Sequence, residues 1–102
     1  MKFMTDAQIA NVSKYLREHG VDCETVHKRM RGNEDSRVSI SDPEIVQFLM
    51  AERSRGAETV LICNDADLAG HCKVQNLPVL FVPELVLERV RAREERQRKD
   101  DH

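Results

Sequence analysis

Thr59-Val-Leu-Ile-Cys-Asn-Asp-Ala-Asp-Leu68 is the stretch that decides how this chain folds. Val60-Leu61-Ile62-Cys63 is an unbroken apolar run, the pattern of a strand covered on both faces in a parallel sheet. It stops abruptly at Asn64, Asp65 and Asp67. Carboxylates at the end of a buried strand do little for packing. They suit a strand whose carboxyl end opens onto a site, which is where open α/β sheets bind ligands. Asn64 or Asp65 also suits the N-cap of a following helix, and a cap at one position leaves the other acid free to hold a metal.

Upstream of this strand, Ser41-Asp42-Pro43-Glu44 reads as a helix start. Ser41 or Asp42 caps, Pro43 fits the first turn, and Glu44 complements the helix dipole. Ile45, Val46, Phe48, Leu49 and Met50 supply the apolar side, and Gly56 marks the stop. At the start of the chain, Lys2-Phe3-Met4-Thr5 reads as a short strand closed by Asp6. Thr5 or Asp6 suits the cap of a helix whose stripe is Ile9, Val12, Leu16 and Tyr15, with His19-Gly20 as its stop. Val21 to Val26 alternates as a second strand. His27 to Ile40 is expected to be an irregular loop, longer than the roughly 4–6 residues of an ordinary connection. It carries Lys28, Arg29, Arg31 and Arg37 against Glu34 and Asp35. Long loops are often functional, though many are only solvated.

Downstream, Asp65 to Gln75 reads as a short helix and Pro78 to Val82 as a fourth strand, with Pro78 tolerable at its first residue. A last helix starts at Pro83, where Leu85, Val86, Leu87 and Val90 can pack. Beyond Arg91 the chain is nearly all charge, with Glu94–Arg98 and Glu95–Lys99 in the favourable four-residue order. Residues 1–90 are therefore expected to form one domain, and 91–102 a charged C-terminal helix end or tail.

These elements run β-α-β-loop-α-β-α-β-α. Right-handed crossovers in opposite directions predict a three-layer α/β/α fold with a four-stranded parallel sheet in the order 2-1-3-4. The order reverses between the first and third strands, so Asp6, Asp65 and Asp67 are expected to share one crevice, with Asp42 positioned to join them. Like charges this close raise one another's pKa, and a cation relieves the cost. A set of hard oxygen donors points to Mg²⁺ or Mn²⁺ held by Asp6, Asp65 and Asp67, and away from zinc.

At 102 residues with a net charge of −2, the chain has no global attraction for nucleic acid or anionic membranes, so any such contact must be local. Aromatics make up only 4% of the residues, which argues against a base-stacking platform. Lys28, Arg29 and Arg31 are the candidates for holding substrate phosphates. Cys23, Cys63 and Cys72 are odd in number and lack C-x-x-C spacing, so buried, reduced thiols are expected. The sequence shows no signal-peptide core or membrane-spanning run, and the reading is a cytoplasmic protein. His71 and Cys72 lack partners at ligand spacing. His71, four residues after Asp67, reads as a surface histidine or a phosphate contact. Asp6-Ala7-Gln8 lacks the adjacent acid that an Asp-dependent phosphotransferase would need.

The same residues resemble the PIN-like nuclease domains, in particular their short single-domain forms, over most of residues 1–83. Lys2-Phe-Met-Thr-Asp6 is similar to the opening strand that ends in that family's first aspartate. Leu16-Arg-Glu-His-Gly-Val-Asp22 resembles the helix end that follows, and Ser41-Asp-Pro-Glu-Ile45 the segment carrying a second acid. Cys63-Asn-Asp-Ala-Asp-Leu68 is similar to the threonine-x-Asp-x-Asp-aromatic signature, with Cys63 in place of the hydroxyl residue and Leu68 in place of the aromatic. The resemblance implies a Mg²⁺- or Mn²⁺-dependent endoribonuclease that cleaves single-stranded RNA, with Asp6, Asp42, Asp65 and Asp67 as catalytic residues. It also raises a toxin role with an antitoxin partner, and leaves a homodimer open. The alternative is a catalytically inactive PIN-like module for protein interaction or RNA binding.

Overall fold

The computed structural model describes residues 1–33 and 39–100, with side chains described as far as 97. Glu34, Asp35 and Arg37 of the basic segment lie outside the described residues, as do the side chains of Arg98 and Lys99.

Four strands, β1 (Lys2–Thr5), β2 (Cys23–Thr25), β3 (Thr59–Cys63) and β4 (Val79–Phe81), form one sheet in the order β2-β1-β3-β4. All three pairings are parallel, with Met4 opposite Leu61 and Leu61 opposite Val79. The expected strand order and direction are therefore those observed. The helices are α1 (Ala10–Glu18), entered through a 3₁₀ turn at Ala7–Ile9, then α2 (Val26–Arg31), α3 (Asp42–Ser54), α4 (Ala66–Val74) and α5 (Glu84–Asp100).

Alternation along the strands divides the core between the two faces of the sheet. Met4, Leu61 and Cys63 point to one face, where Val26 of α2, Ile45 and Leu49 of α3, and Leu68 and Cys72 of α4 cover them. Phe3 and Ile62 point to the other, under Val12 and Leu16 of α1 and Leu87 of α5. Met4, Leu61, Cys63, Leu68 and Cys72 are at most 1% exposed, so the first face is the drier and larger core. The apolar run of β3 is long because that strand is covered on both sides.

The main departure from the sequence reading is α2. Val26, read as the end of a strand, and residues 27–31, read as the start of a loop, form a helix. Thr25, the last residue of β2, also caps this helix by accepting from the Lys28 amide at 3.1 Å. Val26 and Met30, four residues apart, pack together into the main core. Gly32 ends the helix at φ 83°, a left-handed conformation that suits a residue without a Cβ. The strand before it shortens to Cys23–Thr25. At the other end of the chain, α5 continues as a helix through Asp100. Among the described residues no helix is long and apolar enough to cross a membrane.

Candidate functional site

Asp6 leaves the carboxyl end of β1, where its amide donates to the Ile62 carbonyl at 3.3 Å, and so stands beside the end of β3. Its Oδ1 accepts from the Gln8 amide at 3.4 Å and caps the 3₁₀ turn. Asp65 leaves the end of β3 and caps α4, its Oδ1 accepting from the amides of Asp67 at 2.9 Å and Leu68 at 3.2 Å. Of the two residues the sequence offered for that cap, the structure uses Asp65. Asn64 does something else: its Nδ2 donates to the Val82 carbonyl at 2.6 Å and ties the end of β3 to the end of β4. Asp42 opens α3, where Ser41 is the cap, accepting from the Glu44 amide at 3.4 Å.

The carboxyl ends of β1 and β3 and the amino ends of α3 and α4 therefore meet at the point where the strand order reverses. Burial and the nearby charges of Asp65, Asp6 and Asp67 raise the pKa of Asp42, while His71 pulls it down. Asp6, Asp65, Asp67 and His71 thus each stand near enough to Asp42 for their charges to act on it. A raised carboxyl pKa means the fold holds that proton more tightly than the unfolded chain does. Stability is lost as pH rises from the unfolded value of 3.8 through the raised folded value, and regained as pH falls. Asp42→Asn should then gain stability relative to wild type as pH rises across that window, and thermal melts from pH 3 to pH 7 check it. A difference in melting temperature that does not change with pH would assign the residue only to its place in the first turn of α3.

Burial also raises the pKa of Cys63, with added push from Asp6, Asp65 and Asp42. Burial, with Cys63 and Asp42 nearby, pushes Cys72 up to about 11. Both thiols thus stay protonated at neutral pH, so neither supplies a ready thiolate for a Cys/His mechanism. Cys63 Sγ donates instead to the Asp65 carbonyl at 3.6 Å and steadies the turn between β3 and α4. His71 is exposed on α4. Of Thr5 and Asp6, the two cap candidates, the structure uses Asp6, and the fully buried Oγ1 of Thr5 has no hydrogen-bond partner among the described residues. Nothing in a strand's alternation singles out such a hydroxyl.

Among the described residues, no three His, Cys, Asp or Glu side chains stand close enough together, as placed, to hold one metal ion. The donors themselves are of the kind a hard divalent cation takes, carboxylates whose charges already act on Asp42.

The basic trio is not gathered at the crevice. Arg29 Nε pairs with Glu52 at 3.3 Å and lies 3.9 Å from Glu24. Glu52 is ten residues along α3 from Asp42, about 15 Å at the helical rise. Glu52 is 4% exposed and also takes Arg55 at 3.2 Å, so Arg29 helps neutralise a buried carboxylate. Arg31 pairs with Glu44 in the first turn of α3 at 3.3 Å, and of the trio it is the arginine anchored beside the crevice. Lys28 is exposed and makes no ion pair among the described residues.

The capping geometry of Asp65 sets its own stability effect. Asp65→Ala removes an acceptor shared by two amides and should cost about 1 kcal/mol, roughly 4–8 °C in melting temperature. Asp65→Asn keeps an oxygen at that position and should stay near wild type. Equal losses for the two variants would mean that the charge, and not the cap, is what matters there. Comparison with protein-family models, curated proteins and solved structures finds no match for this chain.

Proposed function

We propose that the protein is a metal-dependent endoribonuclease acting on single-stranded RNA, with its active centre at the crevice of Asp6, Asp42, Asp65 and Asp67. The single observation that supports this reading is the electrostatic meeting of these four acids at the reversal of strand order. Asp6, Asp65 and Asp67 would hold Mg²⁺ or Mn²⁺, which when bound supplies charge for the scissile phosphate and a lower pKa for water. The protein's part would be to bring carboxylates from two strand ends and two helix starts together on the ion. Asp42, whose proton is held more tightly than usual, is the member suited to exchange a proton with water or with the leaving oxygen. Arg31 stands close enough to α3 to meet a phosphate, after leaving Glu44.

A second reading, an inactive module for interaction or RNA binding, draws support from the caps. Asp6 and Asp65 each already commit one oxygen to backbone amides, as purely structural acids would. Mn²⁺ separates the two readings. Melting temperature should rise with added Mn²⁺, corresponding to about 2.7 kcal/mol at a hundredfold excess over the dissociation constant. Asp6→Asn and Asp65→Asn should abolish that rise. No rise in wild type would favour the module.

A further inference from the structure

On the face of the sheet away from the acids, α5 does not fully cover β3 and β4. It leaves an apolar groove of about 360 Å³ floored by Leu16, Ile62 and Leu80 and walled by Val86 and Val90. Leu80, opposite Ile62 on this face, is 53% exposed and Val86 of α5 is 43% exposed, so the groove presents apolar surface to solvent. The groove runs on past Tyr15, Val86 and Val90 into a second cavity of about 570 Å³, rimmed by Arg89, Arg93 and Arg96. These arginines lie four and three residues apart on one stripe of α5, while Glu84, Glu88 and Glu95 fall on the opposite half of the helix. Arg91, on that other half, pairs with Glu84 at 3.2 Å. Among the described residues none of the three rim arginines makes an ion pair. Arg93 is nonetheless held in place, its guanidinium 4.9 Å from the Tyr15 ring centre and 3.4 Å from His19 Nε2.

We propose that this groove is a docking site for an acidic amphipathic helix of a protein partner, whose apolar residues seat on Leu80, Ile62 and Val86 and whose carboxylates meet Arg89, Arg93 and Arg96. The argument is charge complementarity joined to an apolar floor. The groove runs from Val86 to Arg96, about 15 Å or nearly three helical turns, which suits a helix laid beside α5. Arginine forks match carboxylates two bonds at a time, and these three make no ion pair among the described residues, although Glu18 and Glu94 line a small cavity beside Arg93. A nucleic acid strand fits less well, because the Tyr15 ring already carries Arg93 and stacks on His19 at 4.3 Å, leaving no open platform for a base.

The test uses the whole protein as bait for a displayed library of random peptides, followed by titration of the selected sequences as labelled synthetic peptides. Selected peptides should interleave Asp or Glu with Leu, Phe or Val, and bind more weakly as salt rises. Arg89→Ala/Arg93→Ala/Arg96→Ala should weaken them at least about tenfold, and Leu80→Asp, a second variant on the floor, should do the same. Circular dichroism melts of both variants show that the fold is retained. Four outcomes would overturn the proposal: a library from which no peptide is enriched, selected peptides that are basic or indifferent to both variants, a single-stranded oligouridine that binds in an arginine-dependent way, or a concentration-dependent dimer that the floor variant abolishes.

Discussion

Cleavage of single-stranded RNA in the presence of Mn²⁺ is expected to disappear in the double variant Asp6→Asn/Asp65→Asn, with a loss of at least roughly 100-fold. Even residues that only support metal ligands cost 10–100-fold when replaced, and these two stand at the ends of the two strands that frame the crevice. The substitutions are chosen so that folding does not confuse the result. Each retains an oxygen able to accept from the amides of Gln8, Asp67 and Leu68, so both caps survive. Two negative charges leave the neighbourhood of Asp42, which removes repulsion and costs the fold nothing. EDTA should abolish cleavage by wild type in the same assay. Cleavage that persists in the double variant would come from a contaminant or from another site, and the crevice would lose its proposed role. Wild type that never cleaves, while still binding RNA, would favour the inactive module.

Leu61→Ala should destabilise the protein by about 2–5 kcal/mol, the range for removing a large buried aliphatic side chain. Leu61 is fully buried in the middle of the sheet, opposite Met4 on one side and Val79 on the other. It packs into the core that α2, α3 and α4 share, so the cavity is bounded by strands and helices that hold one another in place. A domain is stable by only about 5–15 kcal/mol, so this single change removes a large part of the total. Val74→Ala is the control: Val74 is 78% exposed on α4, and its loss should stay within about 0.5 kcal/mol. Urea titration of the three proteins measures both changes. Similar midpoints for Leu61→Ala and Val74→Ala would mean that the core can collapse around the missing side chain.

Much of the architecture is legible in the sequence because local patterns there agree with the fold. The apolar run at Val60–Cys63 is unbroken because β3 is covered on both faces, and its abrupt end in acids marks a strand opening onto the crevice. Ser41-Asp-Pro-Glu44 starts α3 because a hydroxyl cap, a proline and two acids satisfy free amides and the helix dipole. From such elements the handedness of crossovers is enough to derive the order β2-β1-β3-β4, and with it the position of Asp6 and Asp65 at the ends of neighbouring strands. Tertiary structure decided the rest. Whether Thr25-Val-His-Lys is strand or helix depends on whether Val26 and Met30 find a common core, which no local propensity reveals. A positive charge in the sequence does not name its partner. Arg29 faces the buried Glu52, remote in sequence, while Arg89, Arg93 and Arg96 line up on a face of α5 that only its packing against α1 turns toward an apolar groove. Side-chain roles at the crevice are likewise decided by distances of a few ångströms. Asp65 reaches two amides of α4 and Asn64 reaches across to β4, although the sequence places the two side by side with equal claims to the cap.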